Sequence, residues 1–291
     1  MKTTLALLFI LLPALVRSQD NAAPHYKIYN TKSEKLISVD DIVNDLDTTD
    51  VVFFGEEHND STGHQLELML LSSLNEKNAG KTALSMEMFE TDCQTVLNEY
   101  LAGLIREKNF IKDARVWPNY KDYRPLVEYA KANNVPVIAA NAPERYTNMV
   151  NRLGLKSLEQ LDKTGRLYLP PRIDTATGAY LQKFDNIMGG HGSMPGMQMY
   201  QAQNVWDATM GWSIARFFKE HRGYKIMQIN GGFHSEEKLG AAAQLKRYDH
   251  KIRVKNIAVY SDDSFDKPDW SKFKNMADYV ILTDPKLPRS F

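Results

Sequence analysis

The sequence has a single cysteine, Cys93, in 291 residues. That scarcity excludes an internal disulfide, a four-cysteine zinc site and a cysteine-ligated iron–sulfur cluster, so any metal must be held by His, Asp, Glu or Tyr. Charge of one sign is missing too. Thirty-six Lys and Arg balance 36 Asp and Glu, so nothing draws the chain toward polyanions and no nucleic-acid partner is expected. Beyond the N-terminal segment no apolar run approaches the ~20 residues that span a bilayer, which predicts no transmembrane helix in the mature protein. Several catalytic signatures are also absent. The chain has no Gly-x-Ser-x-Gly elbow, no P-loop, no complete Gly-rich dinucleotide fingerprint and no His-Glu-x-x-His, which argues against a serine hydrolase and a nucleotide-binding protein. Repeats and low-complexity tracts are lacking as well. A composition of 43% hydrophobic residues with mixed charges instead fits a globular chain with one large core.

The N-terminus, MKTTLALLFILLPALVRSQDNAAP, places Lys2 ahead of an apolar run from Leu5 to Val16, followed by the small residue Ser18. This pattern predicts a secretory signal peptide over residues 1–18. The expected product is exported to the periplasm or cell envelope, soluble or peripheral, with no N-terminal cysteine to carry a lipid anchor.

Further along, His25 to Asn30 and Lys35 to Ser38 read as two short strands covering an edge of the main sheet, with a brief helix over Val39 to Leu46. The apolar run Val51-Val52-Phe53-Phe54 then ends at Gly55, and Ser61 to Asn78 places Leu66, Leu70, Leu71 and Leu74 on one helical face. The same strand and helix alternation recurs at Thr82 to Met88 with Cys93 to Lys108, at Val135 to Ala140 with Glu144 to Leu153, and at Lys225 to Asn230 with Glu236 to Tyr248. Strands Ile252 to Tyr260 and Tyr279 to Thr283 complete the series. Apolar strands alternating with amphipathic helices predict an α/β fold, a mostly parallel central sheet flanked by helices on both faces. Between the third and fourth of these units the strand signal stops. Helical patterns at Ser157 to Thr164, Thr175 to Ile187 and Met197 to His221 predict a small all-helical subdomain over residues 144–222, inserted into a core made of residues 19–143 and 223–291.

Ligands of a parallel open sheet bind beyond the carboxyl ends of its strands. Those ends here are polar: Gly55-Glu56-Glu57-His58 after the first core strand, Glu87-Met88-Phe89-Glu90 after the second, Asn141-Ala142-Pro143 after the third and Gly231-Gly232-Phe233-His234 after the fourth. Two of the four have the form Gly-x-x-His. Gathered at one edge, Glu56, His58, Glu87 and His234 offer imidazole nitrogen and carboxylate oxygen to a divalent ion such as Mn, Co or Zn, which lowers the pKa of bound water. A purely structural role competes with this, in which Glu56 and His58 cap the next helix, Glu87 pairs with a buried Arg and His234 donates to a backbone carbonyl. Two aromatic segments, Trp117 to Pro125 and Asn141 to Tyr146, bring tyrosines and an arginine near strand ends. A third stretch, Met188, His191, Met194, Met197, Met199, Tyr200, Trp206 and Met210, is flexible and apolar, as suits an irregular flat ligand, though ordinary helix packing uses such residues too.

Together with Gln203, Trp206-Asp207 and Met210, these motifs resemble the ChaN-like haem-binding family of the Tiki superfamily over about residues 48–285. The resemblance implies a parallel sheet with a small helical domain, and haem or iron handling in the cell envelope. It further implies a homodimer that holds two haems face to face, each iron on a Tyr of one subunit and the propionates met by a His of the other. Tyr123 and Tyr120 are the first candidates for the iron ligand, Tyr146 and Tyr200 the next, and His191 the candidate for the propionates. An envelope haem receptor or transporter is the implied further partner. Two functions follow. One is an exported haem carrier, which is favoured and is not an enzyme; the other is a metal-dependent peptidase or esterase with Glu56, His58, Glu87 and His234 as its catalytic and metal-binding set.

Overall fold

The computed structural model describes residues 25–175, 177–189 and 197–291. The signal-peptide segment and His191 lie outside them. Its elements run β1 (Tyr26–Asn30), β2 (Lys35–Ile37), α1 (Val39–Asp45), β3 (Val51–Glu56), α2 (Ser61–Lys77), β4 (Thr82–Glu90), α3 (Gln94–Leu101), α4 (Glu107–Asp113), α5 (Tyr120–Ala132), β5 (Val137–Asn141), α6 (Glu144–Leu153), α7 (Lys163–Arg166), α8 (Ala179–Ile187), α9 (Met199–Glu220), β6 (Lys225–Gly231), α10 (Gly240–Tyr248), β7 (Val254–Ser261) and β8 (Tyr279–Thr283). The strands form one sheet in the order β2-β1-β8-β7-β3-β6-β4-β5. From β8 to β5 every pairing is parallel. The first hairpin extends the sheet through an antiparallel β1–β8 pair, and so forms its edge.

Strand parity sorts the core into two layers. Val52 and Phe54 of β3, Leu84, Met86 and Met88 of β4, and Met227 and Ile229 of β6 pack with α1, α2, α3 and α5. Their neighbours Val51, Phe53, Ala83 and Ile226 pack instead with Met210 and Ile214 of α9 and Ala241 and Leu245 of α10. Because successive side chains of a strand point to opposite faces, both faces are apolar and both are covered. The second half of α9 therefore belongs to the sheet core. Its first half packs with α6 in a smaller cluster around Val150, Leu158 and Val205.

Three helices expected to be continuous are not. Cys93 to Lys108 divides into α3 and α4 because the chain turns left-handed at Gly103, φ 73°, as helix ends commonly do at glycine. The helix expected from Glu236 starts at Gly240, after Glu237 and Lys238 adopt φ of 58° and 56°. The Glu237 backbone N–H leaves the helical path to donate to Met276 O at 2.6 Å. Ser157 to Thr164 likewise splits into a 3-10 turn and α7, where Asp162 supplies a fresh cap. At the exposed end of the sheet, the Gln94 side chain stands in for a further strand on β5: its amide donates to Val137 O at 2.9 Å and accepts from Ala139 N at 2.8 Å. That contact occupies polar groups an edge strand otherwise presents to other chains.

Candidate functional site

The strands β3, β6, β4 and β5 are adjacent and parallel, so their carboxyl ends meet along one rim. Parity then decides which helix each polar end faces. Glu56 points into the layer of α2 and α5. It is 3% exposed and bonded on several sides: His58 Nδ1 lies 2.8 Å from Oε1, the Tyr123 hydroxyl donates to Oε1 at 2.7 Å, and His64 Nε2 lies 3.0 Å from Oε2. Glu87 points the other way, toward α9. Its Oε2 accepts the Gly231 N–H at 2.8 Å and its Oε1 faces His234 Nε2 at 3.4 Å. His234 Nδ1 lies 2.7 Å from Asp207 Oδ1, and the Tyr180 hydroxyl donates to Asp207 Oδ2 at 2.5 Å. Gln203 Nε2 approaches both Tyr180 and His234, at 3.2 and 3.1 Å.

The four residues singled out in the sequence thus come to one rim as two imidazole–carboxylate pairs, Glu56 with His58 and Glu87 with His234. The helix-capping role is filled elsewhere, by Asp60, whose side chain accepts from Thr62 N at 3.0 Å. No Arg pairs with Glu87 among the described residues; its partner is His234.

The two Gly-x-x-His turns interlock. A Cβ at Gly231 would lie 2.8 Å from His58 Nε2, and one at Gly55 would lie 2.9 Å from Ser235 Oγ and 3.0 Å from Gly232 Cα. Each turn's glycine clears the space that the other turn fills. In Gly231→Ala the His58 ring, which is partly exposed, moves rather than the backbone. We expect it to leave Glu56 at a cost of about 1 kcal/mol, reduced by solvent at this position, and to be seen as a changed His58 imidazole resonance. An unmoved resonance would show that the ring does not depend on this glycine.

Electrostatics follow the same pairing. Burial alone would raise the Glu56 carboxyl, but hydrogen bonds and charge from His58 and His64 outweigh it and hold it at about 2. Burial likewise opposes the charge on Glu87, and His234, His58 and the Gly231 N–H overcome it and lower the carboxyl. His234, pulled down by burial, is lifted to about 10 by Glu87 and Asp207. His58 is raised chiefly by Glu56, again against burial. Both imidazoles are thereby oriented by carboxylates and biased toward the cationic, hydrogen-bond-donating form.

Beside this rim lies a cleft of about 440 Å³ bounded by Glu87, Trp117, Asn141, Trp206 and His234. A second cleft of about 310 Å³ adjoins it through Trp206 and Glu144, and is walled by Phe184, Met188, Met199 and Ala202, with Gln203, Asn148 and Asn151 at its polar positions. Such volumes and apolar linings are typical of small-molecule sites. The candidate tyrosines differ in burial. Tyr123 is 1% exposed and Tyr120 7%; their hydroxyls face Glu56 and, at 3.4 Å, Glu107, and burial with neighbouring negative charge raises both phenols. Tyr146 is half-buried beneath the Arg145 guanidinium, 4.4 Å from its ring centroid. Tyr200 is half-buried next to Met199, its ring 5.1 Å from that of Phe184.

Among the described residues, the ligating atoms that gather within 4.8 Å of one another belong to Glu56, His64 and Glu67. His64 and Glu67 escaped sequence reasoning because they sit in the apolar face of α2. Their spacing of three, continued by steps of four and three to Leu71 and Leu74, was the available signal. Asp207 and Gln203 entered the sequence reading through the family pattern alone.

A mostly parallel sheet covered by helices on both faces, whose strand ends carry two carboxylate-oriented histidines beside an apolar cleft, places the chain in the α/β class. Within it, the profile of the haem-binding uptake family ChaN, of the Tiki superfamily, matches residues 42–245, and the chain belongs to that family. The fold is similar to that of ChaN of Campylobacter jejuni, a structure described as showing cofacial haem binding, with TM-score 0.68 and 17% identity over 89% of this chain and 97% of that one. A Bacillus cereus protein is similar at TM-score 0.50 and 14% identity, covering 90% and 95%. Among curated relatives, Protein RETICULATA-RELATED 5, chloroplastic, of Arabidopsis thaliana is 27% identical over 128 residues, which are 42% of this chain and 17% of that protein's length. Among the described residues no helix is long and apolar enough to cross a membrane.

Proposed function

We propose that this chain is an exported haem carrier of the cell envelope, which takes haem into the apolar cleft between α6, α8 and α9 and delivers it to an uptake receptor or transporter. The observation that carries this reading is the cleft itself. Phe184, Met188, Met199, Ala202 and Trp206 supply apolar contact for porphyrin faces, and Asn148, Asn151 and Gln203 supply polar contacts at its margin. The donor chemistry fits haem, since a phenolate is an established axial ligand. Tyr200, half-buried beside the cleft residue Met199 and packed against Phe184, is the residue we assign to the iron, in preference to the core residues Tyr123 and Tyr120. When bound, the haem supplies the ferric centre; the chain's part is to ligate, enclose and orient it. A homodimer suits the family pattern, and Leu153 of α6, Ile187 of α8 and Met197 ahead of α9, at 59%, 65% and 45% exposure, are apolar side chains on the three elements that carry the cleft which a second subunit could cover.

Haemin titrated into the purified protein is expected to shift the Soret band and saturate at about one haem per chain, with Tyr200→Phe weakening binding about tenfold or more. Tyr123→Phe is expected to retain the affinity. No spectral shift, or a loss confined to Tyr123→Phe, would overturn the assignment.

A further inference from the structure

Buried between β3, α2 and α5, on the opposite face of the sheet from Asp207 and Glu87, is a group of polar atoms that the haem reading does not use. Glu67 is fully buried at 0% exposure, Glu56 is 3% exposed and His64 8%. Counted as an ionised carboxylate, Glu67 has no hydrogen-bond donor at either oxygen, and neither Glu56 Oε2 nor His64 Nε2 closes a directional hydrogen bond, although those two atoms stand 3.0 Å apart. Among the described residues no Lys or Arg pairs with either carboxylate; Glu56 pairs with His58 and His64. Buried polar groups are almost always satisfied, and an exception points to something that satisfies them. Here four such atoms converge, from two acids and one imidazole, with no Lys or Arg paired to them among the described residues.

We propose that Glu56, His64 and Glu67 hold one divalent cation of the zinc or manganese class as a structural ion. Two carboxylate oxygens and an imidazole nitrogen are the donors such ions take, at about 2.0–2.2 Å each for zinc. Donors around an ion of that size are neighbours, and the observed spread within 4.8 Å needs small side-chain rotations to close. Two carboxylates and a neutral imidazole around a dication leave the buried group without net charge, which removes the cost of burying like charges together. The site is closed to solvent and is therefore structural rather than catalytic. It reaches the rim through Glu56, whose other oxygen takes Tyr123 and His58, so the ion orients His58 as an outer partner orients a metal ligand.

The test uses the full, haem-free protein without a histidine tag, purified from medium supplemented with zinc and manganese. Elemental analysis is expected to find about one divalent ion per chain, and Glu67→Gln and His64→Gln to lower it below about 0.1. Cobalt introduced in place of the native ion is expected to give visible bands that disappear in the His64 variant. Returning zinc or manganese to chelated protein is expected to raise the melting temperature by about 5–10 °C. Folded wild-type protein with less than about 0.1 ion per chain, and a melting temperature that added metal leaves unchanged, would overturn the proposal. So would a Glu67→Gln variant as stable as wild type, since that marks Glu67 as a neutral acid hydrogen-bonded to Glu56. Should either variant fail to fold, the wild-type ion content and cobalt spectrum decide alone.

Discussion

Asp207→Ala is expected to lose about 3–5 kcal/mol of stability, the cost of removing one partner from a buried charged pair. Asp207 is 0% exposed and accepts from the Tyr180 hydroxyl while facing His234 Nδ1, so deletion strands a phenol and an imidazole inside the protein. Asp207→Asn keeps the shape and loses the charge, and about 2 kcal/mol is expected for it. Urea unfolding with an unchanged slope and a lowered midpoint checks both values. A loss under about 1 kcal/mol for the alanine variant would mean that His234 and Tyr180 are held without Asp207, and that the dyad is not a structural unit.

Gly211→Ala sets two opposed effects against one another. Alanine is the better helix former by about 1 kcal/mol, and Gly211 lies inside α9. Its Cβ, however, would stand 2.6 Å from Leu245 N and 3.1 Å from Ala241 O. Both atoms are backbone of α10 and cannot swing aside as a side chain does. Overpacking of this kind costs about 1–3 kcal/mol and sometimes more, so a net loss of about 2 kcal/mol is expected, with α10 pushed away from α9. Thermal unfolding measures it. A variant more stable than wild type would show that the two helices separate at little cost and that their close approach is not needed for the core.

Much of the fold was legible because strand parity and apolar alternation are local properties. Val51 to Gly55, Lys225 to Asn230 and Tyr279 to Thr283 each appear as strands within a residue or two of where they were expected. Strand order was not legible, since it depends on which crossovers pass over which face, and β6 inserts between β3 and β4 without a local mark. The helix breaks at Gly103 and Gly240 were visible as glycines but not as left-handed residues. In the site, Glu56, His58, Glu87 and His234 stood out because they lie at or just beyond the ends of apolar strand runs. His64 and Glu67 did not, because a polar residue within an amphipathic face reads as a lapse in periodicity until a partner is seen across the layer. The tyrosines were ranked through the family resemblance, and their burial, Tyr123 at 1% exposure, depends on tertiary packing that no local pattern displays.

The reciprocal clearance of Gly55 and Gly231 has a bearing on how this rim can be altered, by natural drift or by design. A bulkier residue at either turn encroaches on the other, so a tolerated enlargement at position 231 calls for a smaller or rotated side chain at position 58, and one at position 55 calls for the same at position 235. Changes here should travel in pairs, and transplanting a single turn into another scaffold should bring its histidine without the pocket that orients it.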